Sequence, residues 1–108
     1  MKAIYCHKGE SLDYVNGTDA KIGAGDVLTM GGRIGVAGTD IEPGGLGSVH
    51  VSGVYEFTKK DKVALAVGTV VYLSADGITT TKTDNTLAGY VAAESPAESG
   101  TVWVKINA

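Results

Sequence analysis

The sequence is poor in the features that disulfide cross-linking, membrane insertion and secretion require. Cys6 is the only cysteine among 108 residues, so no disulfide can form within the chain and folding in a reducing compartment is expected. No apolar run approaches the roughly 18 residues that a membrane-spanning helix needs, and the start at residues 1–8 is too short and too polar for a signal peptide. We therefore expect a soluble protein that has no membrane partner and does not use the secretory route.

Positive charge and aromatic side chains are also scarce. The formal net charge is -3, and the nine lysines and arginines cluster only at Lys59, Lys60 and Lys62. Phosphate binding depends on clustered basic residues, and base stacking depends on exposed aromatic rings. With one tryptophan, one phenylalanine and five tyrosines, the sequence argues against a nucleic-acid partner.

Glycine is abundant where proline is rare, with 16 glycines against 2 prolines. Hydrophobic residues make up 44% of the chain and charged residues 19%, which are ordinary values for a globular protein. A chain of this length can bury only a thin core. The glycines predict many tight turns, and therefore short strands.

The most informative pattern is a repeated one. Residues 25–37 and residues 68–92 each contain a turn glycine, a dense apolar stretch, a second turn and a returning apolar stretch that is interrupted by one glycine. The second turns are Gly31-Gly32 and Asp76-Gly77, and this succession is typical of a β-hairpin. The repeat predicts two related hairpins in a protein that works by shape and assembly.

Apolar and polar residues alternate along much of the chain. In residues 48–57 apolar side chains hold the odd positions Val49, Val51, Tyr55 and Phe57, and polar ones hold the even positions Ser48, His50, Ser52 and Glu56. In residues 101–106 the pattern places Trp103 on the polar face, against a neighbour rather than in the main core. The predicted fold is all-β, a small β-barrel or sandwich of short antiparallel strands. Further strands are predicted near residues 2–7, 11–16, 26–30, 33–37, 69–74, 78–82 and 87–93.

Two segments depart from simple alternation. Residues 59–66 have mixed propensity and no proline, so a short helix there is an alternative to a loop. Residues 70–73 are apolar on both faces, which indicates a central strand or one that another subunit buries. Because the core is thin, the second interpretation favours a homo-oligomer. We expect an N-terminal segment over residues 1–17, a strand or an arm, and one compact β domain over residues 18–108.

No arrangement of residues points to catalysis or to cofactor binding. The glycine-rich loop at residues 44–48 lacks the Gly-Lys-Ser/Thr of a phosphate loop. Ser48 and Ser52 share a strand face with His50, but no orienting acid or nucleophile elbow accompanies them. Cys6 and His7 are adjacent and face opposite ways in a strand, so they do not form a metal site. The sequence predicts a protein that is not an enzyme and that binds neither a cofactor nor a metal.

The chain resembles the DUF2190 family of small phage and prophage proteins from about residue 9 to the end. The most specific elements are Gly-Val-Ala-x-Thr-Asp, Gly-Val-Tyr-Glu-Phe and Asn-Thr-Leu-x-Gly, and their order and spacing carry the resemblance. These three elements belong to a set of five segments that occur in the family's order: Gly25–Val27, Gly35–Asp40, Gly53–Lys59, Gly68–Leu73 and Asn85–Val91. The chain departs from the family at Gly68-Thr69-Val70, where Gly-Asp-Lys-Val is common.

The resemblance implies a capsid decoration, or cement, protein. Such a protein binds the outer surface of a phage head as a homotrimer, contacts the major capsid protein and is found in the host cytoplasm during assembly. The N-terminal segment, residues 1–17, is our candidate for reaching neighbouring capsid subunits. Large apolar side chains are candidates for the subunit or capsid interface: Ile4, Tyr5, Leu12, Tyr14, Val70, Tyr72 and Trp103.

A carbohydrate-binding role is the alternative function. Exposed aromatic rings can stack on sugars, and Trp103, Tyr5, Tyr14 and Tyr55 are the residues that this role would use. The protein would then be the base of a head fibre or an adhesin module.

Overall fold

Nine short strands and no helix make up the computed structural model, which describes residues 1–108. All pairings between these strands are antiparallel, so the all-β prediction is confirmed. The strands are β1 (Ser11–Val15), β2 (Val27–Met30), β3 (Arg33–Ala37), β4 (Leu46–His50), β5 (Val54–Thr58), β6 (Val70–Ser74), β7 (Gly77–Thr79), β8 (Thr86–Ala93) and β9 (Thr101–Ile106).

The strands form two sheets that pack as a sandwich. The first sheet has the order β1-β4-β3-β2, and the second has the order β5-β9-β8-β6-β7. In the second sheet, Lys59 just after β5 forms a bridge to Ile78 of β7. This contact brings the two ends of the second sheet together, so the sheet curls almost into a closed barrel.

The main core lies inside the curled second sheet and extends to the first. Eleven buried residues form it, and Ile34 and Val36 of β3 belong to it although they come from the first sheet. A second cluster of four residues, Ile22, Ala37, Ile41 and Val49, covers the other side of the first sheet. Strand β3 is therefore the element that joins the two cores.

One local motif occurs four times and extends the repeat seen in the sequence. A bridge residue is followed at once by a four-residue turn, which leads into a strand. The bridge residues pair two by two, Ile22 with Ile41 and Leu65 with Ser95. In three of the turns a glycine takes the left-handed backbone conformation, which L side chains adopt at a cost. These glycines are Gly25 (φ 89°), Gly44 (φ 76°) and Gly68 (φ 90°).

The hairpin prediction is right for the first half of the repeat and needs correction in the second. Strands β2 and β3 pair through Gly31-Gly32 as expected. The turn at Asp76-Gly77 instead leads to the short strand β7, and β8 pairs with the opposite edge of β6. Gly89, the glycine that interrupts the returning stretch, lies next to a register irregularity between β6 and β8 and close to the backbone of β9.

The structure differs from the sequence pattern at three other places. Residues 2–7 form no strand, because no strand edge pairs with them. Residues 59–66 form no helix, because the backbone of Leu65 pairs with Ser95 and the following turn ends at Gly68. Residues 48–57 are not one strand. The chain leaves β4 for the other sheet at residues 51–53, where Gly53 has a φ of 113°.

Two asparagine side chains hold loops and strand ends together through hydrogen bonds to backbone groups. Asn107, which follows β9, donates from Nδ2 to the carbonyls of Ile34 (2.7 Å) and Val51 (2.8 Å) and accepts from the Ile34 amide (3.1 Å). It thereby ties the end of the second sheet to the first. Asn16 is fully buried and bonds to the loop that follows β1. Every buried side-chain nitrogen and oxygen in the structure has a hydrogen-bond partner.

Candidate interaction surfaces

The outer surface of the second sheet carries an apolar band. The strand register aligns Val54, Lys105, Tyr90 and Val70 in one row across β5, β9, β8 and β6. Side chains in such a row point to the same face, away from the core on the other side. We call the outward surface of these four strands the barrel face.

Trp103 stands at the centre of the barrel face. Its cross-strand partner is Glu56, and the indole Nε1 donates a hydrogen bond to Glu56 Oε2 at 3.1 Å. Trp103, Val54 and Val70 are 53%, 50% and 51% exposed. A tryptophan held by its polar atom with its ring half open to solvent is well suited to be the anchor of a protein interface.

The seven interface residues predicted from the sequence fall into three groups. Val70, Tyr72 and Trp103 come together on the barrel face. Ile4 and Tyr5 lie in the N-terminal segment and are 88% and 80% exposed. The remaining two are in β1 of the first sheet, where Leu12 is partly exposed and Tyr14 packs against the smaller core.

The N-terminal residues divide at the start of β1. Residues 1–9 belong to neither sheet, whereas the Glu10 carbonyl already accepts a hydrogen bond from the Val51 amide. The segment expected for residues 1–17 thus comprises nine residues outside the sheets and a strand inside the first sheet. We call residues 1–9 the arm.

Among the exposed apolar residues that sequence reasoning missed, three lie at the ends of strands. Val15 of β1 and Leu46 of β4 are cross-strand partners and are both well exposed, and Val54 flanks Trp103 on the barrel face. Short strands give too few alternating positions to distinguish an exposed valine from a buried one. The only available signal was that each of these residues begins or ends its strand.

The residues considered for catalysis do not form a site. His50 stacks on Tyr55 with ring centroids 6.4 Å apart, and it makes no hydrogen bond to Ser48 or Ser52. Cys6 is exposed in the arm. No three His, Cys, Asp or Glu side chains are grouped so as to hold a metal ion, and no helix is long and apolar enough to cross a membrane.

A cluster of three charged side chains lies beside the Ile22–Ile41 bridge. Lys21 Nζ lies 3.3 Å from Asp40 Oδ2 and 3.7 Å from Glu42 Oε1, on either side of the Ile22–Ile41 bridge. The backbone amide of Ala24 donates to Asp40 Oδ1 at 2.8 Å, and this bond, followed by the contact with Lys21, lowers the pKa of Asp40 below its ordinary value of 3.8. The hydrogen bond and charge of Asp40, with the charge of Glu42, raise the pKa of Lys21.

The lowered pKa of Asp40 predicts part of the acid sensitivity of the fold. A carboxyl whose pKa is lower in the folded state contributes stability above its unfolded pKa, and this contribution is lost as the pH falls through the folded pKa. Asp40→Asn is therefore expected to lose less stability than the wild type between about pH 6 and about pH 3. Urea unfolding at both pH values measures this, with the exposed Asp61→Asn as the control. Equal losses in the wild type and Asp40→Asn would contradict it.

Comparison with known proteins identifies the class of the chain. The model of the phage cement protein family matches residues 6–106. No curated protein and no solved structure matches the chain. The match confirms the resemblance to a phage capsid decoration family, whereas the DUF2190 label stays a prediction. Cement proteins are structural proteins of the capsid. The chain belongs to the phage cement protein family and is a capsid decoration protein located on the surface of the virion.

Proposed function

We propose that the protein decorates the phage head as a homotrimer whose subunits contact the major capsid protein. The observation that carries the trimer is the barrel face, with its half-exposed tryptophan and valines. A surface of this kind, with a large aromatic anchor and an apolar surround, is typical of a site of association.

The barrel face meets the same face of the other two copies at the three-fold axis. In such a trimer Trp103, Val54 and Val70 are withdrawn from water, and Lys105 and Glu56, their cross-strand neighbours, supply charge of both signs within the face. Burial of these apolar side chains adds to the thin core of each chain. The two-sided apolar character of β6 then has a cause, because one face fills the core and the other fills the subunit interface.

The β1 side of the first sheet is our candidate for the contact with the major capsid protein. Strand β1 is a free edge of its sheet, and Leu12, Val15 and Leu46 are exposed on or beside it. A decoration protein grips the shell through many modest contacts of this kind. Because it binds the mature shell better than a ruptured one, each bound copy stabilises the head by mass action. Heads that lack the protein are expected to open at a lower temperature.

Substitution of Trp103 tests the trimer. Light scattering of the wild type is expected to give about 33 kDa, three times the 11.0 kDa of one chain. Trp103→Lys places three like charges near the axis, so the mass is expected to fall to that of the monomer. Trp103 lies outside both buried core clusters, so the variant stays folded. Circular dichroism checks this, and Lys82→Glu in an exposed loop is the control. A monomeric wild type, or a Trp103→Lys trimer, would refute this proposal.

The second candidate is the binding of carbohydrate, which the Trp103–Glu56 pair favours. The open face of the indole can stack on a sugar ring. The Glu56 carboxylate, 3.1 Å from the indole Nε1, can accept a hydrogen bond from a sugar hydroxyl. A glycan array separates the two functions. Binding that Trp103→Ala abolishes and Trp103→Phe retains would support the carbohydrate role, and the absence of any bound glycan would leave the trimer proposal as the explanation of this face.

A further inference from the structure

A groove runs along the junction of the two sheets. It consists of two adjoining depressions of about 680 and 400 Å³, which share Val27, Glu56 and Phe57 as lining residues. One end lies at the β6–β7 turn with Asp76, and the other lies at the stacked rings of His50 and Tyr55. We call this feature the inter-sheet groove.

Two open strand edges border the inter-sheet groove. Strand β2 ends the first sheet, and β5 ends the second, where its edge is open up to the bridge between Lys59 and Ile78 of β7. The Ala37 amide bonds to the Asp26 carbonyl, so even-numbered residues of β2 face β3, and the backbone groups of Val27 and Thr29 point to the free edge. On β5, the bond from Lys59 to β9 turns the backbone groups of the even positions, including Glu56, outward. A free edge of this kind is a template for an added strand.

The lining of the groove defines the chemistry of its occupant. Val27 and Phe57 provide apolar surface, and Glu56 and Asp76 provide negative charge. No lysine or arginine lines either depression. The groove therefore favours an extended peptide that carries apolar side chains and positive charge.

The arm has this composition. It contains Lys2 and Lys8 and no acidic residue, whereas the rest of the chain has seven basic and twelve acidic residues. Ile4 and Tyr5 are its exposed apolar side chains. Fully extended, nine residues span about 30 Å, which is close to the 38 Å width of the molecule. The arm can thus leave its own domain and cross to a neighbouring one.

We propose that the arm of each subunit lies as an added strand in the inter-sheet groove of the next subunit. This inference rests on the homotrimer proposed above and names a contact that holds it together. Within one chain, the arm leaves from β1, and none of its residues lines the groove of its own domain. The residues of the arm make no backbone hydrogen bond to their own domain. Exchange of arms between copies gives the open strand edge hydrogen-bond partners and buries the exposed apolar side chains of the arm.

Cys6 makes the proposal testable, because it is the only cysteine and lies in the arm. Thr29→Cys places a second thiol on the β2 edge of the groove, and Asp76→Cys does so at the other end of the groove. Oxidation followed by non-reducing electrophoresis reports which thiols meet. The matched control is Lys82→Cys in an exposed loop, and Cys6→Ser in each background removes the reaction of interest.

Cross-linking between chains to Thr29→Cys or Asp76→Cys, about a hundredfold faster than to Lys82→Cys at micromolar protein, is the expected result, since docking gives the thiols a millimolar effective concentration. A disulfide within one chain, or no excess over the control at both groove positions, would overturn the proposal. Light scattering of the same samples separates the two levels of inference. A trimer without cross-links refutes the arm exchange alone, and a monomer refutes the homotrimer as well.

Discussion

Replacement of Gly89 by alanine is expected to lower the free energy of unfolding by about 3–5 kcal/mol, the combined cost of backbone strain and overpacking. Gly89 has a φ of 148°, and a Cβ added to it would collide with the carbonyl oxygen of Lys105. The obstruction is backbone of β9, which cannot rotate away as a side chain can. Alanine therefore forces β8 and β9 apart at the centre of the second sheet.

Gly100→Ala is the matched control for this prediction. A Cβ added to Gly100 would meet no atom within 4 Å, and the residue has no left-handed φ, so its substitution is expected to change stability by less than about 1 kcal/mol. Urea unfolding of both variants at one pH measures the difference. A Gly89→Ala variant as stable as Gly100→Ala would show that the close approach of β8 and β9 is absent in solution.

Asn16→Ala is expected to have the second largest effect, a loss of about 2–4 kcal/mol. The Asn16 side chain is fully buried and donates to the carbonyls of Ala20 (2.8 Å) and Ile41 (3.0 Å). It also accepts from the Thr18 amide (3.0 Å), so alanine removes three hydrogen bonds and leaves that amide without its partner, whereas the carbonyls of Ile41 and Ala20 keep their bonds from the Ile22 amide and the Thr18 hydroxyl. Asn85→Ala removes one exposed hydrogen bond and serves as the control in thermal unfolding. Equal effects of the two substitutions would contradict the prediction.

The sequence predicts where most strands lie, but it does not predict which sheet each strand joins. Alternation marks Val49 and Phe57 as buried, which is correct, but it runs on through Gly53 as if the strand were continuous. Periodicity describes which face a residue takes and carries no information about a change of sheet. The left-handed φ of Gly53 is what redirects the chain, and one glycine among sixteen does not stand out.

The burial of polar side chains is also not predictable from the local sequence. Asn16 precedes a glycine and therefore indicates a turn, which is where it lies, yet nothing in the local pattern predicts that its side chain is fully buried. Lys59 belongs to the one basic cluster of the sequence, but it is buried, with its Nζ bonded to Ser95 Oγ (3.1 Å) and the Pro96 carbonyl (3.0 Å). Both burials depend on loops that come from distant parts of the chain.

The candidate surfaces could be predicted in part. The exposed position of Trp103 can be predicted from alternation alone, because its neighbours Val102 and Val104 are buried on the opposite face. The inter-sheet groove could not be predicted, since it depends on two strand edges that only the tertiary fold brings to one place. The row from Val54 to Val70 depends on register across four strands, which a single sequence does not specify.

The attachment of the arm to β1 has a mechanical consequence. Strand β1 pairs with β4 over five residues, from Ser11 opposite His50 to Val15 opposite Leu46. Hydrogen bonds between antiparallel strands run perpendicular to the strand axis. A tension applied to the arm along β1 therefore loads all of these bonds together in shear, rather than one after another as in peeling. In the arm exchange proposed above, a swelling shell that pulls neighbouring copies apart would load this strand in shear.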